Sequence, residues 1–273
     1  MEACYRHPNR ETGVHCSNCG RPICPDCMTS TPVGMRCPEC ARQRTRARTM
    51  RSAAAGGEPV LTYALIGICV VVFIGELAGG ASATGGGLGS SRLFADGALS
   101  GPDVANGDYW RLLTAGFLHA SFFHIFFNMF ALWILGQLLE PAIGSIPFGL
   151  IFFVSVFAGS LGVLVIDPNS LTVGASGGIF GLMGAAVVVM RNRGINPLES
   201  GLVLWLGLNL LLTFTISSIS IGGHIGGLIG GTLAALVLFE LPDRVRVPPA
   251  AANLLCASLG VAAVVGSIAI AGS

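Results

Sequence analysis

Two short stretches of this chain have the residue types of a nucleophile and its base. Ser176 stands among glycines in the segment Gly174-Ala175-Ser176-Gly177-Gly178, at the start of an apolar stretch. Glycines let a neighbouring backbone approach closely and leave the serine N–H accessible to a substrate oxygen. His224 lies among glycines in a second apolar stretch. Because serine is a poor nucleophile until a base takes its proton, the two residues together predict nucleophilic catalysis.

Each of the two signals also has a structural interpretation. A serine between glycines in a membrane helix is most often a packing residue, since small residues let helices approach closely. A histidine in such a helix is rarer and is by default a functional hypothesis. The prediction therefore depends on whether the chain brings both residues to one place.

A second chemical pattern occupies residues 1–40. Cysteine and histidine form four pairs, each with two residues between its members: Cys4 and His7, Cys16 and Cys19, Cys24 and Cys27, Cys37 and Cys40. Four such ligands make one closed tetrahedral zinc site, so the eight predict two structural zinc ions. Disulfides are the alternative and need an oxidising compartment.

The composition indicates a protein with several membrane spans. Of 273 residues, 52% are hydrophobic and only 11% are charged, whereas a soluble domain has about a quarter of its residues charged. Seven apolar segments have about the length that crosses a bilayer. We place them at residues 60–79, 119–139, 146–166, 176–190, 199–216, 221–240 and 251–271. The net charge of +1 indicates no particular partner, and we expect no nucleic acid.

Arginines predict how the chain lies across the membrane. A linker at residues 41–58 contains five of them, namely Arg42, Arg44, Arg46, Arg48 and Arg51. Arginines near a span favour the cytoplasmic side, so we expect a cytoplasmic N-terminus, an extracellular C-terminus and a multi-pass protein of the cell membrane. Arg191 and Arg193 then also face the cytoplasm. A reducing cytoplasm favours zinc over disulfides in residues 1–40.

This topology brings the polar residues to one depth in the membrane. The second, fourth and sixth spans run from outside to inside, and Ser176 and His224 lie near the outer ends of two of them. His124 and Asn128 lie near the outer end of the second span. They are four residues apart and therefore on one helix face. Because neither catalytic span has an acid near its outer end, we expect a dyad whose histidine is held by packing and not by a carboxylate.

The transmembrane part resembles a rhomboid intramembrane serine protease over about residues 60–271. The resemblance rests on Gly174-x-Ser176-Gly177, on His224 with its glycines, on His124-x3-Asn128 and on the pair Trp110-Arg111. It implies an all-α membrane protein, a rhomboid-like bundle of seven transmembrane helices in a six-plus-one arrangement. It also implies that transmembrane proteins of the lipid bilayer are the substrates, that they are cleaved in or near their transmembrane segments, and that no catalytic cofactor is needed.

The resemblance also implies roles for individual residues. Ser176 would be the nucleophile and His224 the general base, while Asn128, His124 and the Ser176 N–H would form the oxyanion hole. Glu140 stands where the family often has a structural glutamate, and Phe180 stands where it often has tyrosine. Trp110 and Arg111 would anchor the first loop at the membrane interface.

Residues 1–40 resemble a B-box or related cross-braced zinc finger. That resemblance implies one zinc site from Cys4, His7, Cys24 and Cys27 and a second from Cys16, Cys19, Cys37 and Cys40. Sequential pairing remains open at this point. The expected organisation is thus a zinc-binding domain at 1–40 that is able to bind a cytoplasmic protein partner, a linker at 41–58 and a protease domain at 59–273.

Three other functions are compatible with parts of the sequence. A catalytically inactive rhomboid-like protein would bind membrane clients without cutting them, but such proteins lose Ser176 or His224, and both are present. A transporter or channel would explain the glycine-rich helices and intramembrane histidines, but not the serine–glycine motif. A soluble hydrolase would place Gly-x-Ser-x-Gly on a strand–turn–helix of an α/β domain, and the sequence predicts no such domain.

Overall fold

The structure is a computed structural model that describes residues 2–31, 34–42, 57–84, 91–216 and 219–272. The chain divides into two compact units, residues 1–51 and 52–273. The predicted linker arginines Arg44, Arg46, Arg48 and Arg51 and the side chain of Arg42 lie outside the described residues.

The N-terminal unit consists of two small hairpins and a short helix. The elements are β1 (Glu2–Cys4) paired antiparallel with β2 (His7–Thr12), β3 (Thr29–Thr31) paired antiparallel with β4 (Gly34–Arg36), and α1 (Pro38–Arg42). Its buried core is made of cysteines and Ile23. A unit of this size buries too little apolar surface to be stable by itself, so cross-links or metal ions are expected to hold it.

The second unit is a bundle of helices, as the sequence predicts. In chain order the helices are α2 (Val60–Ala78), α3 (Arg92–Gly97), α4 (Gly101–Ala105), α5 (Arg111–Thr114), α6 (Phe122–Ile143), α7 (Ser145–Ile166), α8 (Ser176–Asn192), α9 (Leu202–Thr215), α10 (Ile221–Ala235), α11 (Leu241–Val245) and α12 (Pro249–Ala271). One π-helical turn, Leu236–Glu240, joins α10 to α11.

Each predicted apolar segment corresponds to a helix, but the lengths differ. Five helices are long and apolar enough to cross a membrane, with α10 and α11 counted as the single helix Ile221–Val245. The helices α8 and α9 are shorter, at 17 and 14 residues. At about 1.5 Å per residue, α9 extends roughly 21 Å, less than the hydrocarbon thickness of about 30 Å.

The helix α10 packs closely against two neighbours through two rows of glycines. A methyl group on Gly226 would lie 3.2 Å from Cα of Gly159 in α7, and one on Gly227 would lie 2.8 Å from Cα of Gly177 in α8. Such contacts leave no room for a side chain, so the helices meet backbone to backbone. The four-residue glycine spacing that the sequence shows is therefore used on two faces of one helix.

The connector between the first two spans is more ordered than a Gly- and Ser-rich sequence indicates. It contains α3, α4 and α5, and Arg111 holds them together. The guanidinium donates to the carbonyl oxygens of Ala95 and Ala98 at 2.6 and 2.9 Å, and to Asp108 at 3.0 Å. Arg111 is 6% exposed and Trp110 is 54% exposed. The arginine is therefore a buried organiser of this loop. The interfacial position that the resemblance implies for Trp110 and Arg111 stays a prediction.

Glu140 joins the end of α6 to the start of α2. Its carboxylate accepts hydrogen bonds from the backbone N–H groups of Leu61 and Thr62 at 2.9 and 2.8 Å, and from the hydroxyls of Thr62 and Ser145 at 2.6 Å each. The first N–H groups of a helix have no intrahelical partner, so this carboxylate satisfies two of them. The contacts are those of a structural residue.

Candidate active site

Ser176 is the first residue of α8, and the chain reaches it through a backbone conformation that favours glycine. Gly174 has φ of +128°, in the region that side chains other than glycine rarely adopt. The first N–H groups of a helix lack intrahelical acceptors and lie at the positive end of the helix dipole. The Ser176 N–H and hydroxyl therefore lie where an anionic oxygen would be stabilised.

His224 is held near the start of α10 by three features. The side chain of Ser220 caps the helix by accepting from the Gly223 N–H at 3.1 Å. The imidazole stacks on Phe180, with ring centroids 4.1 Å apart and planes inclined by 22°. Its Nδ1 lies 2.7 Å from the hydroxyl oxygen of Thr213 in α9. The ring is 8% exposed, so its position is fixed from several sides.

Glycine contacts bring the two helices that bear Ser176 and His224 together. A methyl group on Gly177, next to Ser176, would lie 3.3 Å from the carbonyl oxygen of Gly223, next to His224. Phe180, one turn after Ser176, lies against the His224 ring. No hydrogen bond joins the two side chains among the described residues. Catalytic hydrogen bonds are often long or poorly aligned before substrate binds, so this arrangement is compatible with a dyad.

His124 lies on the other side of the serine, beside Gly174. A methyl group on Gly174 would lie 2.8 Å from Nε2 of His124 and 3.6 Å from Oγ of Ser176. The backbone N–H of Ala120 donates to Nδ1 of His124 at 3.3 Å, which assigns the ring proton to Nε2. The Nε2–H therefore points into the space around Gly174 as a donor.

Asn128 lies one turn after His124 on the same face of α6. Its amide donates one hydrogen to the carbonyl oxygen of His124 at 2.8 Å, and the residue is 7% exposed. An amide group has two N–H donors, so this bond leaves the second hydrogen unused. Three helices thus contribute the predicted residues: α8 bears the serine, α10 bears His224, and α6 bears His124 with the amide one turn after it. The sequence predicts this set of residues.

Comparison with known proteins places this constellation in a family. A family model described as the rhomboid domain matches residues 106–241. "Rhomboid protease GluP" of Bacillus subtilis is 35% identical over 201 residues, which cover 72% of this chain and 38% of that protein. "Putative rhomboid protease YdcA" of the same organism is 36% identical over 145 residues, 52% of this chain and 73% of that protein. "Rhomboid-like protease 1" of Toxoplasma gondii is 38% identical over 152 residues, 52% of each chain.

The chain belongs to the rhomboid family. The matched rhomboid domain includes Ser176, His224, His124 and Asn128, together with the arginine that organises the first loop. Residues 1–105 lie outside that match. The chain covers only 38% of the length of GluP, so the activity of that whole protein is not assigned to this chain.

Two groups of metal-ligand residues lie in the N-terminal unit, outside the matched domain. One consists of Cys4, His7, Cys24 and Cys27, and the other consists of Cys16, Cys19, Cys37 and Cys40. Within each group the ligand atoms lie within 4.8 Å of one another. Of the two pairings that the spacing allows, the structure therefore has the cross-braced one and not the sequential one.

The donor geometry fits a tetrahedral metal ion. Nδ1 of His7 lies 3.8, 3.3 and 3.4 Å from the sulfurs of Cys4, Cys24 and Cys27. Bonds of about 2.0–2.3 Å to a central zinc ion imply ligand separations of about 3.6 Å at tetrahedral angles. The first group thus has both the ligand types and the spacing of a closed structural site.

The thiols of these groups influence one another strongly. Burial raises the pKa of Cys4 and Cys16, but backbone hydrogen bonds outweigh it and bring both to about 6. Burial and the neighbouring cysteines raise the pKa of Cys27 to about 11. A coordinating thiol is deprotonated, and the charge of a divalent cation between several thiolates offsets their mutual repulsion.

The structure also shows residues around the site that sequence reasoning missed. Thr213 is the clearest, because the sequence predicts that packing and not a carboxylate holds His224, and it does not point to a hydroxyl. Its signal was weak: Asn209 and Thr213 are polar residues four apart in an apolar helix. Glu76 gave a stronger signal as a carboxyl in an apolar span. It is fully buried and accepts from the backbone N–H of His119 at 3.3 Å, and the ring of His119 meets that of His124 edge-on at 5.2 Å.

Proposed function

We propose that this chain is an intramembrane serine endopeptidase that hydrolyses peptide bonds in or near the transmembrane segments of membrane proteins. The observation that carries the proposal is the convergence of Ser176, at the start of its helix, with the stacked ring of His224 and the donor of His124. Those are the parts that acyl transfer needs: a nucleophile, a base and an oxyanion site. Membership of the rhomboid family supports the same reaction class.

Each residue has a defined task in the proposed reaction. Oγ of Ser176 bonds to the substrate carbonyl carbon while Nε2 of His224 takes the hydroxyl proton. The carbonyl oxygen becomes an oxyanion, which the Ser176 N–H, the His124 Nε2–H and the free amide hydrogen of Asn128 stabilise. His224 then gives its proton to the leaving amine. Water repeats the sequence on the acyl-enzyme and releases the carboxylic acid and Ser176.

Cleavage of defined substrates tests this proposal. We expect the purified full chain in detergent to cut at least one of a panel of single-span membrane proteins. Ser176→Ala and His224→Ala should each abolish cleavage, because the two residues act as one unit. Ser258→Ala is the matched control, since this serine is exposed on α12 and its hydroxyl contacts only a backbone carbonyl of its own helix. Cleavage by Ser176→Ala would contradict the dyad, and binding without cleavage would favour the inactive client-binding alternative.

We also propose the orientation that the arginines indicate, with the N-terminus in the cytoplasm and the C-terminus outside. Leu198, between α8 and α9, is 72% exposed and accepts a probe cysteine. An impermeant thiol reagent applied to intact cells should label Ser273→Cys and should not label Leu198→Cys. The labelling of each variant is compared with that of the unchanged chain. The reverse pattern would refute the orientation.

The N-terminal unit is proposed to hold two structural zinc ions, one in each cysteine-rich group. The number and type of ligands in each group support zinc, because four thiolate or imidazole donors close a tetrahedral site and leave no position for a substrate. The domain division is proposed as zinc binding at 1–40, a linker at 41–58 and the protease at 59–273. No part of the proposed hydrolysis involves these ions.

A further inference from the structure

Thr213 differs from every other residue in the middle and end of α9. Leu202 at the start and Thr213 near the end are the buried residues of this helix. Thr213 is 1% exposed, whereas its neighbours Leu212 and Phe214 are 42% and 61% exposed. The side of α9 that bears Thr213 therefore faces the bundle, and it places a hydroxyl there.

This hydroxyl makes two hydrogen bonds, and together they fix the direction of each. Its oxygen lies 2.8 Å from the carbonyl oxygen of Asn209 and 2.7 Å from Nδ1 of His224. A carbonyl oxygen only accepts, so the hydroxyl proton points to Asn209. The bond to the imidazole then requires that Nδ1 carries hydrogen and donates to the threonine oxygen.

A proton on Nδ1 decides what the other ring nitrogen can do. A neutral imidazole has one N–H and one acceptor nitrogen, so Nε2 is the acceptor. A general base for Ser176 must accept at that nitrogen. In the opposite tautomer Nε2 would carry the hydrogen and take no proton from the serine.

Among the described residues, no other group at the site performs this task. In the part of the chain that the structure describes, Thr213 is the only side chain hydrogen-bonded to the His224 ring. Phe180 fixes the plane of the ring by stacking, but a phenyl face does not distinguish Nδ1–H from Nε2–H. The tautomer is therefore set by the threonine.

We infer that Thr213 is a positioning residue that holds His224 in the tautomer with the proton on Nδ1. The inference rests on the proposed function, because it matters only if Nε2 of His224 serves as a base. It extends the dyad to a serine–histidine–threonine array in which a neutral hydroxyl takes the orienting place that a carboxylate has in soluble serine proteases. A hydroxyl needs no buried charge, which suits a site within the bilayer.

Three variants of α9 test the inference. Thr213→Val keeps the shape of the side chain and removes its oxygen, whereas Thr213→Ser keeps a hydroxyl. Thr215→Val is the matched control, because the Thr215 hydroxyl also bonds a carbonyl one turn earlier, that of Leu211 at 2.9 Å, but the residue is exposed. Loss of one neutral hydrogen bond should lower kcat of Thr213→Val roughly fivefold to tenfold with KM unchanged. Thr213→Ser and Thr215→Val should stay near the wild-type kcat.

The nitrogen-15 spectrum of histidine-labelled full chain gives a readout that needs no catalysis. The His224 signals are identified by their loss in His224→Asn. We expect wild type, Thr213→Ser and Thr215→Val to show a protonated Nδ1 and an unprotonated Nε2, and Thr213→Val to show a shift toward the other tautomer. An unchanged tautomer in Thr213→Val would overturn the inference. A kcat of Thr213→Ser as low as that of Thr213→Val would also overturn it. Inactive wild type with the expected spectra would refute the proposed function and leave the tautomer assignment standing.

Discussion

The side chains of His124 and Asn128 are oriented by backbone groups and not by charged partners. The Ala120 N–H directs the proton of His124 to Nε2, and the His124 carbonyl oxygen holds one hydrogen of the Asn128 amide. Both remaining donors are therefore present before substrate arrives. Preorganised donors of this kind stabilise a developing oxyanion without reorganisation during the reaction.

Asn128→Ala should slow the chemical step without weakening substrate binding. If the second amide hydrogen contacts the oxyanion only in the transition state, its removal should raise the activation free energy by about 2–4 kcal/mol. This lowers kcat and leaves KM unchanged. Steady-state cleavage of a transmembrane substrate in detergent measures both constants. The control is Gln137→Ala, because this exposed residue of the same helix contacts the Tyr63 hydroxyl at 2.8 Å, away from the site. A rise in KM with unchanged kcat would remove Asn128 from the oxyanion hole.

The chemistry-bearing residues of the site were readable in the sequence, but their orienting partners were not. Ser176 and His224 stand out because polar residues among glycines are unusual in an apolar segment. Thr213 does not stand out, since threonine in a membrane helix usually bonds to its own backbone, as Thr215 does. Only the packing of α9 against α10 shows that one threonine also meets the imidazole.

Among the helices, α10 determines whether the site can form. Its two glycine rows bring it against α7 on one face and α8 on the other, and the second contact sets the distance between Ser176 and His224. Reacting groups must lie within about 3–3.5 Å of each other for efficient catalysis. A small displacement of α10 from α8 therefore acts directly on the dyad.

Gly227→Ala should strongly reduce the proposed proteolysis although it changes the chemical identity of no catalytic side chain. The added methyl would lie 2.8 Å from Cα of Gly177, and backbone cannot move aside as a side chain can. We expect roughly a 100-fold loss of kcat/KM, the size that a displacement of about 1 Å can produce. Gly67→Ala is the control, because nothing lies within 4 Å of a methyl at that exposed position of α2. Equal activity of the two variants would show that the α8–α10 distance is not critical.

The spans were predictable because a bilayer demands long apolar helices, and every predicted segment became a helix. Their ends were less predictable. The second span starts at Phe122 and not at residue 119, because Ser121 caps it by accepting from the His124 N–H at 3.2 Å. The short helices of the first connector were missed, since the guanidinium of Arg111 organises them through contacts distant in sequence.

The whole molecule combines two units that are stabilised by different physical means. The helical unit has a core of apolar side chains, and its helices also meet backbone to backbone at glycines. The core of the N-terminal unit consists mainly of cysteines. The sequence left its ligand pairing open because all four pairs have the same spacing. The fold decides it, since the backbone hydrogen bond from Tyr5 N–H to the Pro22 carbonyl at 3.1 Å brings the segment just before Cys24 back to the first pair.

Metal content is the first test of the N-terminal unit. We expect the purified full chain to hold about two zinc ions and a chain that starts at Gly57 to hold none, because each group closes one four-coordinate site. Cys24→Ser should lose about one ion, since a closed site needs all four ligands. Cys256→Ser is the control, because this cysteine lies buried in α12, outside both groups. One ion or fewer in the wild-type chain would contradict the two-site assignment.

The same truncation tests whether the two units work independently. Closed metal sites have no open position for substrate, so zinc should stabilise the N-terminal unit and take no part in peptide hydrolysis. If the proposed orientation is correct, about 30 Å of hydrocarbon also separates the cytoplasmic side from the outer ends of the catalytic helices. We propose that the unit instead binds a cytoplasmic protein or the cytoplasmic part of a substrate. The chain starting at Gly57 should therefore cleave a model transmembrane substrate in detergent at the full-length rate, and chelation of the full chain should leave that rate unchanged. If the truncated chain shows a cooperative thermal unfolding transition, and so is folded, but does not cleave the substrate, the N-terminal unit controls the proposed protease.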